Sequence, residues 1–255
     1  MKPSVARRLW GWLLDYCYLV YLMVRGFFSR NLPAELLHPD QPPRTPILLI
    51  PGVYEHWRFM QPIAAHLYRA GHPVHVLEKL GYNTGAISAM AVILSDYLKT
   101  VDARDVVMIA HSKGGLIGKQ ALGDPETAPR VKHLIAINTP FAGSRYANLF
   151  LLPSVRMFMP KGTVIQQLAL NLAINQHISS LYSVFDPHIP ETSQLEGAEN
   201  IVLPSIGHFR PVSDAFTLET IDRILARLAE DHEVNPGDLS ATVRPEPVPR
   251  QQDRH

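Results

Sequence analysis

Val106-Val107-Met108-Ile109-Ala110-His111-Ser112-Lys113-Gly114-Gly115 is the stretch on which the reading of this chain turns. Val106 to Ala110 is apolar and rich in β-branched residues, as a buried strand is. The run breaks at Ser112, with the small residues Ala110 and Gly114 two positions to either side. Small, helix-compatible sequence follows from Lys113 to Leu122. A strand, a sharp turn carrying serine and then a helix is the pattern of a nucleophile elbow, written here A-x-S-x-G rather than G-x-S-x-G. Such a turn is strained, so its neighbours must be small, and it pushes the hydroxyl out over the end of the sheet. The backbone N–H of Lys113 and the start of the helix face the same point, where an oxyanion would be stabilised.

Away from this stretch, apolar runs alternate with helical patterns. Ile47-Leu48-Leu49-Ile50 reads as a fully buried strand and runs straight into Pro51-Gly52-Val53-Tyr54. Glycine there permits a turn whose amides point into the crevice beyond the strand ends. Trp57 to Ala70 carries Phe59, Ile63 and Leu67 at helical spacing and stops at Gly71. Val74 to Leu77 is the next strand, Ile87 to Leu98 a helix, and Leu134 to Ile137 another buried strand. Strands alternating with helices predict a parallel sheet covered on both faces. Sites in such sheets lie beyond the carboxyl ends of the strands, where Gly52 and Ser112 both sit.

Ile47–Val53, Ala110–Gly115 and Asn138-Thr139-Pro140-Phe141-Ala142-Gly143-Ser144 together resemble the α/β-hydrolase fold, and most of all its bacterial lipase and esterase members. The resemblance covers roughly residues 45 to 230. It implies an α/β architecture with a mostly parallel sheet, helices on both faces and a lid-like insertion after the sixth strand, taken as Leu134 to Ile137. Two positions depart from the pattern. Many relatives carry His-Gly before the oxyanion residue, where this chain has Pro51-Gly52, and Lys113 stands where Met or Gln is common. The donors implied for the oxyanion are the backbone amides of Val53 and Lys113, so neither change removes one. The Lys113 side chain is expected to influence the electrostatics of the pocket mouth.

A serine hydroxyl is a weak nucleophile at neutral pH and needs a histidine, which in turn needs a carboxylate. In this fold they follow the serine in the order acid, then histidine. The strand ending at Asn138 has no carboxylate at its tip. Ile178 to Phe185 ends in Asp186-Pro187, and Ile201 to Ile206 leads to Gly207-His208. Asp186 and His208 thus fall at consecutive strand tips in the required order. His188 competes with His208 but lies on the Asp186 loop. His111 is expected to point away, and Glu191 and Glu196 are lesser candidates for the acid.

The amino-terminal arm, residues 1–31, holds an apolar run from Leu9 to Val24 flanked by Arg7, Arg8, Arg25 and Arg30. Wound as a helix, it gathers Arg7, Arg8, Gly11, Asp15, Tyr18, Arg25, Gly26 and Ser29 into a narrow polar sector that only Leu22 interrupts. That pattern favours a helix lying in a membrane interface. A helix packed over the domain, a spanning helix and a cleaved signal are the alternatives, although the run is short of the roughly twenty apolar residues a span needs. The arm implies a membrane-associated protein, with a cytoplasmic one as the alternative. A Pro-rich linker (32–45) leads to the main domain (46–231). Within it, the segment 145–176 is longer than a crossover needs and rich in Leu, Met and Phe, as a lid over an acyl pocket would be. Thr217 to Leu228 reads as a closing helix, and 232–255 as a polar, Pro-rich disordered tail.

Composition bounds the rest. A chain of 255 residues, 46% hydrophobic, can bury one substantial core. A formal net charge of +1 gives no field favouring nucleic acid. The single Cys17 excludes an intramolecular disulfide and a thiolate metal cluster. No His, Asp or Glu spacing resembles a ligand set, so neither metal nor cofactor is expected. The sequence therefore predicts a serine hydrolase acting on carboxylic esters, with Ser112, Asp186 and His208 as the triad and a small-molecule or lipid ester as substrate. An acyltransferase would use the same residues. A non-catalytic, membrane-tethered binding protein on a hydrolase scaffold is the alternative of another class, and the oligomeric state is left open.

Overall fold

A computed structural model describes residues 4–28, 33–149 and 151–234. Six strands form one parallel sheet: β1 (Ile47–Ile50), β2 (Val74–Val76), β3 (Val106–His111), β4 (Val131–Ile137), β5 (Ile178–Phe185) and β6 (Glu199–Ile206). Their order across the sheet is β2-β1-β3-β4-β5-β6. The chain thus winds outward from β1 to one edge, returns to β3 and continues to the other edge. The elbow strand β3 is central, with Val107 opposite Ile47 on one side and His133 on the other.

Side chains alternate between two cores, as the pleat demands. Leu48, Ile50, Met108, Ala110, Leu134 and Ala136 face one side, with α3 (Ile87–Thr100) and α4 (Lys113–Leu122). Ile47, Leu49, Val107, Ile109, Ile135 and Ile137 face the other. There they meet α2 (Gln61–Arg69) and α7 (Ala215–Val234). These strands are buried on both faces, which is why they read as unbroken apolar runs. The expected helix from Trp57 begins as a 3-10 turn, Trp57–Met60, before α2.

Two expectations change in detail. The insertion follows the fourth strand of the chain, β4, rather than a sixth. It carries two short helices, α5 (Pro153–Arg156) and α6 (Thr163–Leu170), with Ala147, Phe158, Ile165 and Leu168 buried in the first core. The closing helix α7 runs on through Val234, so the start expected for the tail at 232 is helical, and 235–255 lie outside the described residues.

The largest departure is α1 (Val5–Phe28). It packs on β6 and on the 3-10 turns Trp57–Met60 and Arg210–Ser213, and it does so through its polar stripe. Gly11 is buried so close to Ile206 that a Cβ there would lie 2.4 Å from the Ile206 Cγ2. Asp15 and Leu22 are fully or nearly fully buried. The stripe that the sequence placed toward lipid headgroups is the docked face. No helix among the described residues is long and apolar enough to cross a membrane.

Candidate active site

The site is assembled at the carboxyl ends of β1, β3, β5 and β6. Ser112 occupies the turn between β3 and α4 with φ 50° and ψ −119°, a strained conformation for a residue other than glycine. The close approach of α4 to the sheet requires Gly114: a Cβ at that position would lie 2.2 Å from the Ile50 carbonyl oxygen. Ser112 Oγ lies 3.0 Å from Nε2 of His208. His208 Nδ1 lies 2.7 Å from Oδ2 of Asp186. The other Asp186 oxygen accepts the backbone N–H groups of His188 (2.7 Å) and Ile189 (3.2 Å). The three residues named from strand order therefore meet in one hydrogen-bonded chain.

Burial dominates the electrostatics here. The His208 and Asp186 side chains are each only 6% exposed. Desolvation holds His208 far below the ordinary imidazole range, so it is a neutral base at pH 7. Desolvation also pushes Asp186 up to about 6, and the adjacent backbone donors and histidines oppose that rise. A hydroxyl beside a neutral imidazole, whose other nitrogen a carboxylate fixes, is the arrangement that turns serine into a nucleophile.

The remaining candidates fall into place around this chain. Val53 lines the same cavity as Ser112, and Lys113 heads α4, where backbone N–H groups have no intrahelical acceptor. The Lys113 side chain does not reach the pocket mouth. It is fully buried, and its Nζ donates to the carbonyls of Asn83 (2.7 Å) and Gly85 (2.5 Å). Burial pulls its pKa down to about 8. His188 lies beside this chain rather than in it: its ring stacks on His208 at 4.8 Å, and its Nε2 lies 3.0 Å from the Tyr16 hydroxyl of α1. Glu191 pairs with Arg145 at 2.6 Å, and Glu196 is exposed.

Several residues of the site escaped the sequence reading. His111 does point away from Ser112, but it is not idle. Its Nδ1 faces the buried Glu55 carboxylate at 2.8 Å, and its Nε2 faces the His208 carbonyl at 2.9 Å. The ring thus bridges the Glu55 carboxyl group and the backbone of the loop that carries His208. Burial is the largest influence on the ring and lowers its pKa, but Glu55, the His208 carbonyl and Asp186 together leave it raised. Glu55 also accepts the Gly52 N–H at 2.7 Å, which links the β1 turn to the His208 loop. Asn138 donates to the His208 carbonyl at 2.9 Å and accepts from the Ser183 N–H. Asp15, reaching in from α1, accepts the N–H groups of His208 (2.7 Å), Phe209 (2.9 Å) and Arg210 (2.9 Å). Gly207 makes room for it: a Cβ there would lie 2.3 Å from Asp15 Oδ1.

A cavity of about 620 Å³ opens above Ser112 and is mostly apolar. Trp12, Tyr16 and Leu19 of α1 form one wall, and Ala147, Val155 and Phe158 of the insertion form another. Among the described residues no group of three His, Cys, Asp or Glu side chains is gathered as a metal site.

A family model described as the alpha/beta hydrolase fold matches residues 45–163. A sequence comparison with curated proteins finds no match. Among solved structures, a Bacillus licheniformis lipase, BlEst2 in its mature form, is similar at 15% identity and a TM-score of 0.57, over 74% of this chain and 94% of that one. A structure from a study of carboxylesterases of Nitrososphaera gargenis is similar at 14% identity and a TM-score of 0.57, over 76% and 94%. The haloalkane dehalogenase DatA of Agrobacterium tumefaciens is similar at 11% identity and 0.53, over 74% and 91%. At these identities the likeness is one of fold, and the three neighbours carry different names on one scaffold. Parallel sheet, serine elbow and the match over residues 45–163 agree: the chain has the α/β-hydrolase fold, a fold of generally hydrolytic enzymes.

Proposed function

We propose that this protein is a serine hydrolase that cleaves carboxylic esters with an apolar acyl chain. The observation that carries the reading is the continuous chain Ser112–His208–Asp186 at the floor of an apolar cavity. Ser112 Oγ attacks the ester carbonyl carbon while His208 Nε2 takes its proton. The oxyanion lies against the N–H groups of Val53 and Lys113. The bond to the alcohol oxygen breaks, and the alcohol leaves with the proton from His208. Water then adds to the acyl carbon, His208 takes a proton from it, and Ser112 departs as the hydroxyl. Asp186 holds His208 in the required tautomer and stabilises the imidazolium formed in each half-reaction. Neighbours described as a lipase and as carboxylesterases share this fold with a haloalkane dehalogenase, so the ester assignment rests on the serine chain and its apolar cavity.

The test is labelling by a fluorophosphonate probe, with hydrolysis of p-nitrophenyl acetate and octanoate measured in parallel. The native protein is expected to label and to prefer octanoate. Ser112→Ala is expected to do neither, with turnover down by at least about 10³-fold. A folded native protein that stays unlabelled, with detergent present as well as without, would overturn the assignment.

A further inference from the structure

α1 is amphipathic in the reverse of the usual sense. Its narrow polar stripe is buried against the domain through Gly11 and Asp15, while its broad apolar face is turned outward. Leu9 (58% exposed), Trp10 (62%), Leu13 (54%), Val20 (59%) and Val24 (53%) stand on that outer face. One helix thus presents a continuous exposed apolar surface, which a soluble surface rarely tolerates without a partner.

Two further observations identify the partner. The first is charge. Asp15 is the only acidic residue of α1, and it is buried under the His208 loop, so the outer face carries no negative charge. Arg7 and Arg25 lie exposed along one flank, near either end of the helix. Basic side chains beside Trp, Tyr, Leu and Val match an anionic phospholipid interface, with aromatic rings and aliphatic chains below the headgroups and guanidinium groups among them. The second is placement. On the flank opposite the arginines, Trp12 and Tyr16 line the cavity above Ser112, across from the insertion residue Leu149, itself 78% exposed. A surface seated on α1 therefore lies at the cavity mouth.

We propose that the outer face of α1 docks the protein on the surface of a phospholipid bilayer containing anionic lipid, with the cavity mouth turned toward the lipid. This deepens the ester-hydrolase reading and rests on it only for what the surface delivers: acyl esters that enter from the bilayer without crossing water. The docking itself needs no catalysis.

The experiment uses the full chain carrying Ser112→Ala, so that lipid turnover does not intervene. Flotation is measured with vesicles of phosphatidylcholine alone and with added phosphatidylglycerol. Cys17, exposed on α1 and the only cysteine of the chain, is labelled with an environment-sensitive fluorophore as an independent readout. The protein is expected to float with the mixed vesicles, more weakly with phosphatidylcholine alone, and the fluorophore to shift to the blue on binding. Leu13→Glu/Val20→Glu/Val24→Glu is expected to weaken partition at least tenfold. In the Ser112 background the same triple variant is expected to keep p-nitrophenyl acetate turnover within about twofold, because none of the three side chains lines the cavity. No flotation with either vesicle, or equal flotation of the triple variant, would overturn the docking and leave the serine chemistry untouched. A blue shift that grows with protein concentration in the absence of lipid would also overturn it, since a second copy would then cover this face.

Discussion

Asp15 shows how much of this site depends on a side chain outside the reacting set. Its carboxylate collects three consecutive backbone N–H groups, those of His208, Phe209 and Arg210, and so fixes the loop that carries the proposed base. Burial raises its pKa, and the same three donors oppose the rise. Asp15→Ala leaves three donors without this acceptor, two of them buried, at a cost of about 1–3 kcal/mol for each buried one. It also frees the His208 loop to drift. Misplacement of a catalytic group by about 1 Å costs on the order of 10²-fold in rate, so a fall in kcat of tenfold or more is expected, with KM nearly constant. Asp15→Asn, which keeps one acceptor oxygen, should recover part of the loss. Parallel thermal melts and ester kinetics separate the two effects: a variant that loses stability but keeps kcat would show that Asp15 only holds the helix down.

Among the elements, the β3–α4 elbow is the most legible in sequence, and the docking of α1 on the domain through its polar stripe is the least. Physics explains the contrast. β1, β3 and the second half of β4 are buried on both sides, so Ile47–Ile50, Val106–Ala110 and Leu134–Ile137 are apolar without interruption, and the break at Ser112 is abrupt. Gly114 belongs to the same local grammar, because the spacing between β1 and α4 is set by its missing side chain. Gly114→Ala places a methyl group 2.2 Å from the Ile50 carbonyl, a backbone atom that cannot rotate aside. Relief of that clash is expected to cost about 3 kcal/mol. At roughly 2–4 °C per kcal/mol for a domain of this size, calorimetry should show a fall in Tm of roughly 6–12 °C. Fluorophosphonate labelling should fall with it, since the elbow itself has to move. An unchanged Tm would show that α4 is not held by this contact. α1 obeys no local grammar: its stripe of Arg, Gly, Asp and Tyr is what a headgroup-facing helix would carry. What assigns it to the domain is Asp15 meeting an amide row 193 to 195 residues away, which no periodicity encodes. Asn83 and Asn138 escape for the same reason, as each binds backbone groups on distant loops, and Glu55 because its partner His111 lies 56 residues away.

At the scale of the molecule, two segments far apart in the chain close over the strand tips. α1 comes from the beginning of the chain and the insertion from its middle, and together they bury a triad that strand ends alone would leave wet. The consequence is a pH dependence with a definite sign. The reactive form of the proposed enzyme needs Asp186 ionised and His208 neutral. Desolvation keeps His208 neutral throughout the neutral range. The same desolvation lifts Asp186 to about 6, so the acid limit is set by the carboxylate end of the chain. As pH falls through 6, a proton added there removes the acceptor of the His208 Nδ1–H and the charge that stabilises the imidazolium. kcat/KM should therefore be level above about pH 7 and decline below 6, approaching tenfold per unit, well above the ordinary carboxylate value of about 3.9. A limb near pH 4 instead would mean that water reaches Asp186 and that the cover is open in solution. Asp15→Ala offers the internal comparison. By loosening α1 it should let water in, and the acid limb should move downward in pH even as the rate falls, a shift that simple loss of stability would not produce.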